Sequence, residues 1–293
     1  MRTCFLMSIL LTIPQHGWAW GQEGHAIIGE IAQRYLSPKT QARIADLIGQ
    51  GVSLASVSTW ADDVRAGRPE TSNWHFVAIP SDSLRYDAAR DCKPNPEMGD
   101  CIIAALARLR AELTSPRTAP LAKREALKFL IHFVGDIHQP LHALLEDRGG
   151  NDRRVSFFVG PSSPSRPAIK EDTNLHAVWD SGLIRHCVRG WNAYVSHLQS
   201  DWLPKQDVTA LAEGSVIDWA QEAHQAATDV VWTVPMDADL GEEYVTRAVP
   251  ELDRQLAVAG LRLARVLNET FGSASRPYAA QLPQETPAGW SCK

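Results

Sequence analysis

The chain has 293 residues, of which 44% are hydrophobic and 22% are charged. This length suffices for one large domain or two small ones, and the composition is that of an ordinary globular protein, which excludes extended disorder. The formal net charge is -5. A protein that binds nucleic acid through a broad basic surface normally has a positive net charge. Any binding of a polyanion by this chain must therefore depend on a local positive region or on bound cations.

Residues 1–19 have the layout of a secretory signal peptide. Arg2 precedes an apolar run over residues 4–13, and two small residues occupy the -3 and -1 positions of a cut before Trp20. The run is too short to span a bilayer. A buried N-terminal helix is the alternative, but the order of charge, apolar run and cleavage site favours a removed leader. We therefore expect a secreted or periplasmic domain over residues 20–293.

Helical periodicity dominates the rest of the chain, because apolar residues recur every three or four positions in most segments. In chain order, the predicted helices cover residues 23–35, 40–48, 101–113, 123–145, 175–183, 191–203, 215–232 and 242–271. Residues 74–79 predict a short extended piece and residues 155–159 a strand. No linker divides the chain, so the sequence predicts one mainly α domain with many helices.

Four cysteines remain after residues 1–19, namely Cys92, Cys101, Cys187 and Cys292. An even number in an oxidising compartment indicates two disulfides, for which three pairings exist. The short loop favours a bridge from Cys92 to Cys101, which leaves Cys187 for Cys292 near the end of a Pro-rich tail. No C-x-x-C spacing occurs, so a cysteine-type zinc site is not expected.

Two histidine–aspartate pairs indicate metal chemistry. His132 precedes Asp136 by four residues, and His176 precedes Asp180 by the same spacing. Side chains four apart lie about 40° apart around a helix, so each pair can bind one ion. Imidazole nitrogen with carboxylate oxygen is a ligand set that suits Zn²⁺. A surface ion pair or a core contact is the alternative for either pair alone, but buried aspartates in apolar segments are costly without cations.

His142 follows Asp136 by six residues and would face about 120° away on an undistorted helix. Pro140 lies between them and predicts a kink that lets one stretch serve more than one metal ion. His138 points about 160° away from the line between His132 and Asp136, so we expect a structural role for it. The same expectation holds for three further histidines: His186, His197 and His224.

Six motifs follow one another along the chain: WGQEGH at 20–25, WAD at 60–62, WHF at 74–76, HFVGDIHQPLH at 132–142, GGND at 149–152 and NLHAVWD at 174–180. In this order they resemble the zinc-dependent single-strand nuclease family of the S1/P1 type, within the superfamily that also contains phospholipase C. The resemblance implies a mainly α, single-domain multi-helix fold with a cleft that holds three zinc ions.

The resemblance also assigns ligands by position. The first zinc would take Asp62, His75, His132 and Asp136. Its close neighbour would take His25, the bridging Asp136, and both the α-amino group and carbonyl oxygen of Trp20. The third zinc would take His142, His176 and Asp180. An amino ligand at Trp20 exists only after cleavage before that residue, and nearby cations favour its neutral form.

The implied reaction is hydrolysis of phosphodiester bonds in single-stranded DNA and RNA to 5′-phosphorylated products. The resemblance leaves open whether 3′-nucleotides are also cleaved. A zinc pair lowers the pKa of a bridging water toward ~7, and a third ion can hold phosphate oxygens or the departing alkoxide. Asp62 could orient that water or accept its proton, and Asp136 is the second catalytic carboxylate. We expect a monomer without stable membrane anchoring.

Two residues resemble substrate contacts of the family. Phe76 matches the residue that stacks on a base, and Asn151 matches the one that hydrogen-bonds the base edge. A core phenylalanine and a plain turn are the alternatives. The fungal pattern has a carboxylate two residues after the stacking phenylalanine, where this chain has Ala78. We therefore expect weak base selectivity and activity on both DNA and RNA.

Two other functions compete with the nuclease. The first is a zinc-dependent phospholipase C of the same superfamily, against which the HQPLH run and the following GGN favour the nuclease branch. The second is a secreted protein without activity whose zinc ions only stabilise the fold. Structural zinc sites are usually closed and rich in cysteine, which disfavours this second alternative.

Overall fold

The computed structural model describes residues 20–160, 169–188, 190–272, 290 and 292. The predicted signal peptide lies outside these residues. Within them, no helix combines the length and the apolar character needed to cross a membrane.

Helices dominate the described residues. They are α1 (Gln22–Arg34), α2 (Pro38–Ile48), α3 (Leu54–Val57), α4 (Trp60–Arg65), α5 (Ala88–Asp91), α6 (Ile102–Thr114), α7 (Pro120–Asp136), α8 (Asp147–Gly150), α9 (Leu175–Ala177), α10 (Leu183–Cys187), α11 (Trp191–His197), α12 (Val208–Leu211), α13 (Val216–Ala226) and α14 (Glu242–Phe271). Tighter 3-10 turns occur at Pro69–His75, Pro140–Ala143 and Leu203–Lys205. Wider π turns occur at Val178–Gly182, Leu198–Trp202 and Ala227–Val231. The prediction of a mainly α fold is confirmed.

One small sheet lies beside the helices. Its order is β2-β1-β3, with β1 at Arg154–Phe158, β2 at Lys170–Asn174 and β3 at Ala238–Asp239. Strands β1 and β2 are antiparallel, whereas β1 and β3 are parallel. The predicted strand at 155–159 is β1. Strand β2 escaped prediction because its sequence, KEDTN, is polar and holds one β-branched residue, Thr173, and no aromatic one.

The predicted helix bounds hold for α1, α2, α6 and α14 and fail for α7. The prediction of 242–271 coincides with α14, and α1, α2 and α6 differ from prediction by one or two residues at an end. The predicted helix at 123–145 is wrong, because α7 ends at Asp136 instead of bending at Pro140. Gln139 precedes the proline and adopts an extended conformation (φ -79°, ψ 116°). A proline disfavours helical geometry in the residue before it and cannot donate a backbone hydrogen bond.

The C-terminal half of α7 runs through the interior, which fits its sequence. Every residue from Phe129 to Asp136 is buried. A helix that is apolar on all sides belongs inside a protein. Its last turn carries His132 and Asp136 into this interior, where their charges meet no solvent.

Both expected disulfides are present. Cys92 pairs with Cys101 across nine positions, and Cys187 pairs with Cys292 across 105. Disulfides persist in oxidising compartments. At the end of α14, the Asn268 amide donates to the carbonyl of Tyr35 and accepts from the backbone N–H of Ser37. Asn268 opens an Asn-Glu-Thr glycosylation sequon, but its side chain is buried between these two contacts.

Helices α1 and α14 pack face to face through a glycine. A Cβ atom built on Gly260 would lie 2.5 Å from Cγ2 and 2.7 Å from Cβ of Ile31. Both residues are buried, so neither can move aside into solvent. Gly260 therefore sets how closely α14 approaches α1, the helix that carries His25.

We expect Gly260→Ala to lower the free energy of unfolding by about 1–3 kcal/mol through overpacking, although alanine is the better helix former. Chemical denaturation of the wild type and the variant measures this change. Gly190→Ala is the matched control, because a Cβ there meets nothing within 4 Å. An unchanged or higher stability of Gly260→Ala would show that the two helices can separate without cost.

Candidate metal centre

Four side chains converge at the end of α7. His132 and Asp136 come from α7, Asp62 from α4, and His75 from the last position of the 3-10 turn Pro69–His75. Nδ1 of His75 lies 2.9 Å from Oδ2 of Asp136, and Nε2 of His132 lies 3.0 Å from the same oxygen. The two ring nitrogens are 3.2 Å apart. Oδ1 of Asp62 lies 3.6 Å from each of them.

These separations match the edges of a metal polyhedron. Four ligands placed tetrahedrally at about 2.0–2.1 Å from zinc lie about 3.3 Å from one another. The five distances above range from 2.9 to 3.6 Å. The first predicted ligand set is therefore assembled with the spacing that a four-coordinate ion requires.

His25 approaches the other oxygen of the same carboxylate. Its Nε2 lies 3.2 Å from Oδ1 of Asp136, and its ring stacks on His132 at 3.9 Å between centroids. His25 also falls within 4.8 Å of ligand atoms of Asp62 and His132. However, Nδ1 of His132 already donates to the carbonyl of Ser58, and its Nε2 faces the first group. Asp136 is therefore the residue that joins His25 to that group, with one carboxylate oxygen toward each side.

Trp20 lies at the same place. Its side chain is fully buried, and its indole Nε1 donates to the carbonyl of Gly135 at 2.9 Å. The next residue, Gly21, donates its backbone N–H to the carbonyl of Asp180, also at 2.9 Å. These two bonds attach the Trp20 side chain to the residue before Asp136 and the next residue, Gly21, to Asp180.

The third predicted set also forms a cluster. Ligand atoms of His142, His176 and Asp180 lie within 4.8 Å of one another, and all three residues are buried. Nε2 of His176 is 3.4 Å from Oδ2 of Asp180, and the rings of His142 and His176 stack at 5.1 Å. Nδ1 of His142 lies only 3.9 Å from Oδ1 of Asp136, so the third group adjoins the first two.

Backbone carbonyls orient three of the imidazoles. Nδ1 of His142 donates to the carbonyl of His75, and Nδ1 of His176 donates to that of Gly149. Nδ1 of His132 donates to the carbonyl of Ser58 in the same way. Such a bond fixes the tautomer and leaves the Nε2 lone pair free for a cation.

Buried polar atoms without a hydrogen-bond partner gather at this site, within the part of the chain that the structure describes. They include both ring nitrogens of His25, Oδ1 of Asp62, Nε2 of His75, Oδ1 of Asp136 and Oδ2 of Asp180. Leaving such groups unpaired in a protein interior is costly. Unpaired nitrogen and oxygen atoms gathered in one buried region fit a site for divalent cations.

Burial keeps most of the imidazoles neutral. Loss of hydration lowers the pKa of His25 to about 4 and that of His75 and His176 to about 3. Neutral imidazole is the form that binds metal ions. At His132, burial acts in the same direction, but the attraction of Asp136 and Asp62 outweighs it and raises the pKa to about 9.

The carboxyl groups respond to burial in different ways. Burial raises the pKa of Asp62 to about 6 and that of Asp180 well above its usual range. Burial also disfavours the Asp136 carboxylate, but the charge and hydrogen bonds of the surrounding imidazoles hold its pKa well below the usual range. Divalent cations bound at the three clusters would compensate these carboxylates, which is the charge balance that the site requires.

Sequence reasoning missed two residues at the site. The fully buried Gln139 donates from Nε2 to Oδ1 of Asp180 at 2.7 Å and accepts from the N–H of Leu141, so it positions a candidate ligand. Arg65 lies one helical turn after Asp62, and its charge interacts with Asp62 and Asp136. The sequence offered one signal for each residue. Gln139 lies between the two histidines of HQPLH, and Arg65 follows the aspartate of WAD by three residues.

His138 takes no part in the three clusters that the described residues form. Its Nδ1 donates to the carbonyl of Val134, and its Nε2 accepts from the buried Arg262. Arg262 in turn donates twice to Glu222. This arrangement confirms the structural role expected for His138 and ties the turn after α7 to α13 and α14. His186, His197 and His224 also stand outside the clusters.

The predicted substrate contacts flank the third group. Phe76 follows His75 directly and is partly exposed, and the backbone of Val77 donates to the carbonyl of His142. Asn151 is also partly exposed and follows α8, whose Gly149 binds His176. The two residues thus stand on segments that touch the same cluster from different parts of the chain.

Helix α8 is one turn of left-handed geometry. Its residues have φ of 47° at Asp147, 52° at Arg148, 63° at Gly149 and 77° at Gly150. This region suits glycine but costs about 1–2 kcal/mol for each other residue. A Cβ on Gly149 would come within 2.4 Å of the carbonyl oxygen of Leu141, so glycine is required there on two counts.

Known proteins resemble this chain over most of its length. The family model of the S1/P1 nuclease matches residues 20–272. The chain belongs to the S1/P1 nuclease family. Endonuclease 2 of Arabidopsis thaliana is 32% identical over 279 residues, which cover 88% of this chain and 91% of the relative.

Two fungal relatives of the S1/P1 nuclease family cover similar shares. Nuclease P1 of Penicillium citrinum is 28% identical over 282 residues, 87% of this chain and 98% of its own. Nuclease S1 of Aspergillus oryzae is 27% identical over 287 residues, 88% of this chain and 94% of its own. Membership makes this S1/P1 nuclease a hydrolase of phosphodiester bonds, and it favours the nuclease branch over both the phospholipase and the non-enzymatic alternatives.

We expect Asp136→Asn to remove at least one metal ion per chain and to lower nuclease activity more than about 100-fold, since one carboxylate serves two groups. Metal analysis of the purified protein and an assay on denatured DNA measure the two effects. Asp253→Asn is the control, because Asp253 is another buried carboxylate that pairs with Tyr194 and His197. Unchanged metal content in Asp136→Asn would refute the bridging role.

Proposed function

We propose that this S1/P1 nuclease is an exported zinc-dependent endonuclease that cleaves single-stranded DNA and RNA to 5′-phosphorylated products and also acts on 3′-nucleotides. The observation that carries the proposal is the convergence of three histidine–aspartate clusters around Asp136 in a chain of the nuclease family. Relatives named nuclease P1, nuclease S1 and endonuclease 2 support the endonuclease assignment.

Three zinc ions per chain are the proposed cofactors. The donors are imidazole nitrogens and carboxylate oxygens, a combination that suits zinc in hydrolases. Asp62, His75, His132 and Asp136 would hold the first ion; His25, Asp136 and the main chain of Trp20 would hold the second; His142, His176 and Asp180 would hold the third. Bound zinc lowers the pKa of water toward ~7 and neutralises negative charge on the phosphate.

The protein's own side chains have separate tasks in this reaction. Asp62 has the most exposed side chain of the first group, at 21%, so its carboxylate can orient a water or accept its proton at the mouth of the site. Arg65, one turn later, adds a fixed positive charge beside the carboxylates, where phosphate charge must be balanced. Asp136 is fully buried and would act as the second catalytic carboxylate by contributing a ligand to two of the ions.

Base contacts are proposed for Phe76 and Asn151. Both are partly exposed, and both stand beside the third cluster, where a phosphate of the substrate would lie. Stacking on an aromatic ring is worth about 1–3 kcal/mol per base and requires an unstacked nucleotide, which favours single strands. Ala78 offers no hydrogen-bonding side chain in this segment, so we propose weak selectivity among the four bases.

Export is proposed from the leader pattern and the disulfides. The two disulfides need an oxidising compartment, and the family match begins at Trp20, where the predicted cut falls. We propose that residues 1–19 are removed and that residues 20–293 form one secreted or periplasmic nuclease domain, monomeric and without a stable membrane anchor.

The decisive experiment is an assay of the processed protein on denatured DNA, native DNA, RNA and phosphatidylcholine, with metal analysis of the same sample. We expect cleavage of denatured DNA and RNA, loss of activity with a chelator and recovery on adding zinc. Rates on the four homopolymers should agree within about tenfold, which is the weak discrimination expected without a dedicated base acceptor. Hydrolysis of phosphatidylcholine alone, or activity that survives chelation, would overturn the proposed function.

One extra residue before Trp20 tests the role of the chain start. We expect a protein that begins Gly-Trp20 to lose one zinc per chain and about 10- to 100-fold of its activity, because the added peptide group removes the amino ligand. The matched control is the same preparation processed to begin at Trp20. Full zinc content and full activity in the extended protein would exclude the α-amino group as a ligand.

A further inference from the structure

The backbone of Arg148 adopts the left-handed conformation, and a function of its side chain would explain why an arginine is found there. Its φ and ψ are both 52°, a conformation that glycine adopts without strain and arginine does not. Two glycines already follow it, at positions 149 and 150. Strained residues of this kind persist where the side chain has a task that a more relaxed residue could not perform.

The backbone of Arg148 borders the substrate region. The next residue, Gly149, accepts the Nδ1 hydrogen bond of His176, and the carbonyl of Arg148 accepts from Nδ2 of Asn151. Arg148 is thus one peptide away from the third cluster and shares a hydrogen bond with a proposed base contact. Its side chain is 74% exposed, whereas His176 is buried, so the guanidinium is open to a molecule in solvent.

An ion pair holds the guanidinium in one orientation. Nε and Nη2 of Arg148 donate to the two oxygens of Asp152 at 2.9 and 2.8 Å. Exposed pairs of this kind contribute little to stability, so the pair does not account for an arginine in a strained position. A guanidinium has five N–H donors, and the two bonds to Asp152 leave three of them for an outside acceptor.

We propose that Arg148 binds a phosphate of the single strand next to the phosphodiester bond that is cleaved. This contact rests on the proposed function. The guanidinium fork matches two phosphate oxygens, and its exposed position suits a flanking phosphate rather than the one at the buried cluster. In a chain of net charge -5, a cation beside the cleft supplies the local attraction that the overall charge does not.

Arg148→Gly separates this contact from a structural role. Glycine keeps the left-handed turn, so we expect a melting temperature at or above that of the wild type. Cleavage of the thymidine trinucleotide d(TpTpT) should fall roughly three- to tenfold in kcat/KM at one of its two linkages, with Arg148→Lys in between. The slope of log kcat/KM against log salt should become less steep by about 0.7, the value for one phosphate contact on a single strand.

Neutral substrates identify the phosphate. A methylphosphonate at either linkage of d(TpTpT) removes one charge and restricts cleavage to the other linkage. At the linkage that Arg148→Gly cleaves more slowly in d(TpTpT), a methylphosphonate at the other linkage should abolish the difference between Arg148→Gly and the wild type, because the partner charge is gone. Arg154→Ala is the matched control: Arg154 is 73% exposed, forms the same two-bond pair with Asp237, and lies in a regular strand. It should cleave all three substrates at the wild-type rate.

Two outcomes would overturn the assignment, and they can be told apart. A wild type that cleaves denatured DNA while Arg148→Gly cleaves d(TpTpT) at the wild-type rate, or is impaired equally on the neutral substrates, would remove the phosphate contact and leave the proposed function intact. A wild type that cleaves neither denatured DNA nor d(TpTpT) would end the proposed function and this contact with it.

Discussion

An ionised carboxylate in the protein interior governs the arrangement of this molecule. Asp136 is fully buried, and three imidazoles, from His25, His75 and His132, lie within 3.2 Å of its oxygens. An isolated charge at such a depth costs several kcal/mol, and the surrounding imidazoles offset that cost only in part. Divalent cations resolve the conflict, since they attract the carboxylate and the imidazole lone pairs together. The bound cations that stabilise the buried carboxylate are therefore the same ones that the metal-dependent reaction requires.

The main contribution of the fold to this centre is that α7 ends at Asp136. α7 delivers His132 and Asp136 and then ends, and the 3-10 turn that follows sends His142 toward a different cluster. Arg262 and His138 tie that turn to α13 and α14, while Gln139 reaches across to Asp180. Carbonyl groups from three distant segments orient the imidazoles. Hydrogen bonds thus orient four of the candidate ligands, His132, His142, His176 and Asp180, which is the preorganisation that metal-dependent catalysis needs.

An acidic nuclease must concentrate positive charge where the substrate lies. The clusters would do so with cations, Arg65 adds a fixed charge that interacts with Asp62 and Asp136, and Arg148 is the proposed phosphate contact near the third cluster. Because the proposed amino ligand arises by cleavage before Trp20, the complete centre would form only after export. Such coupling would keep a nucleic-acid hydrolase incomplete while it is still among the cell's own nucleic acids.

Local patterns determined much of this protein without coordinates. Apolar periodicity predicted α1, α2, α6 and α14, the spacing of cysteines favoured the observed disulfides, and His–Asp spacing singled out both pairs that became parts of clusters. The break at Asp136, the shared use of its two oxygens, the hydrogen bond from Gln139 and the left-handed turn at Arg148 depended on tertiary structure. Helix periodicity reports only which face is apolar, whereas these features arise where segments far apart in sequence meet and compete for the same buried charge.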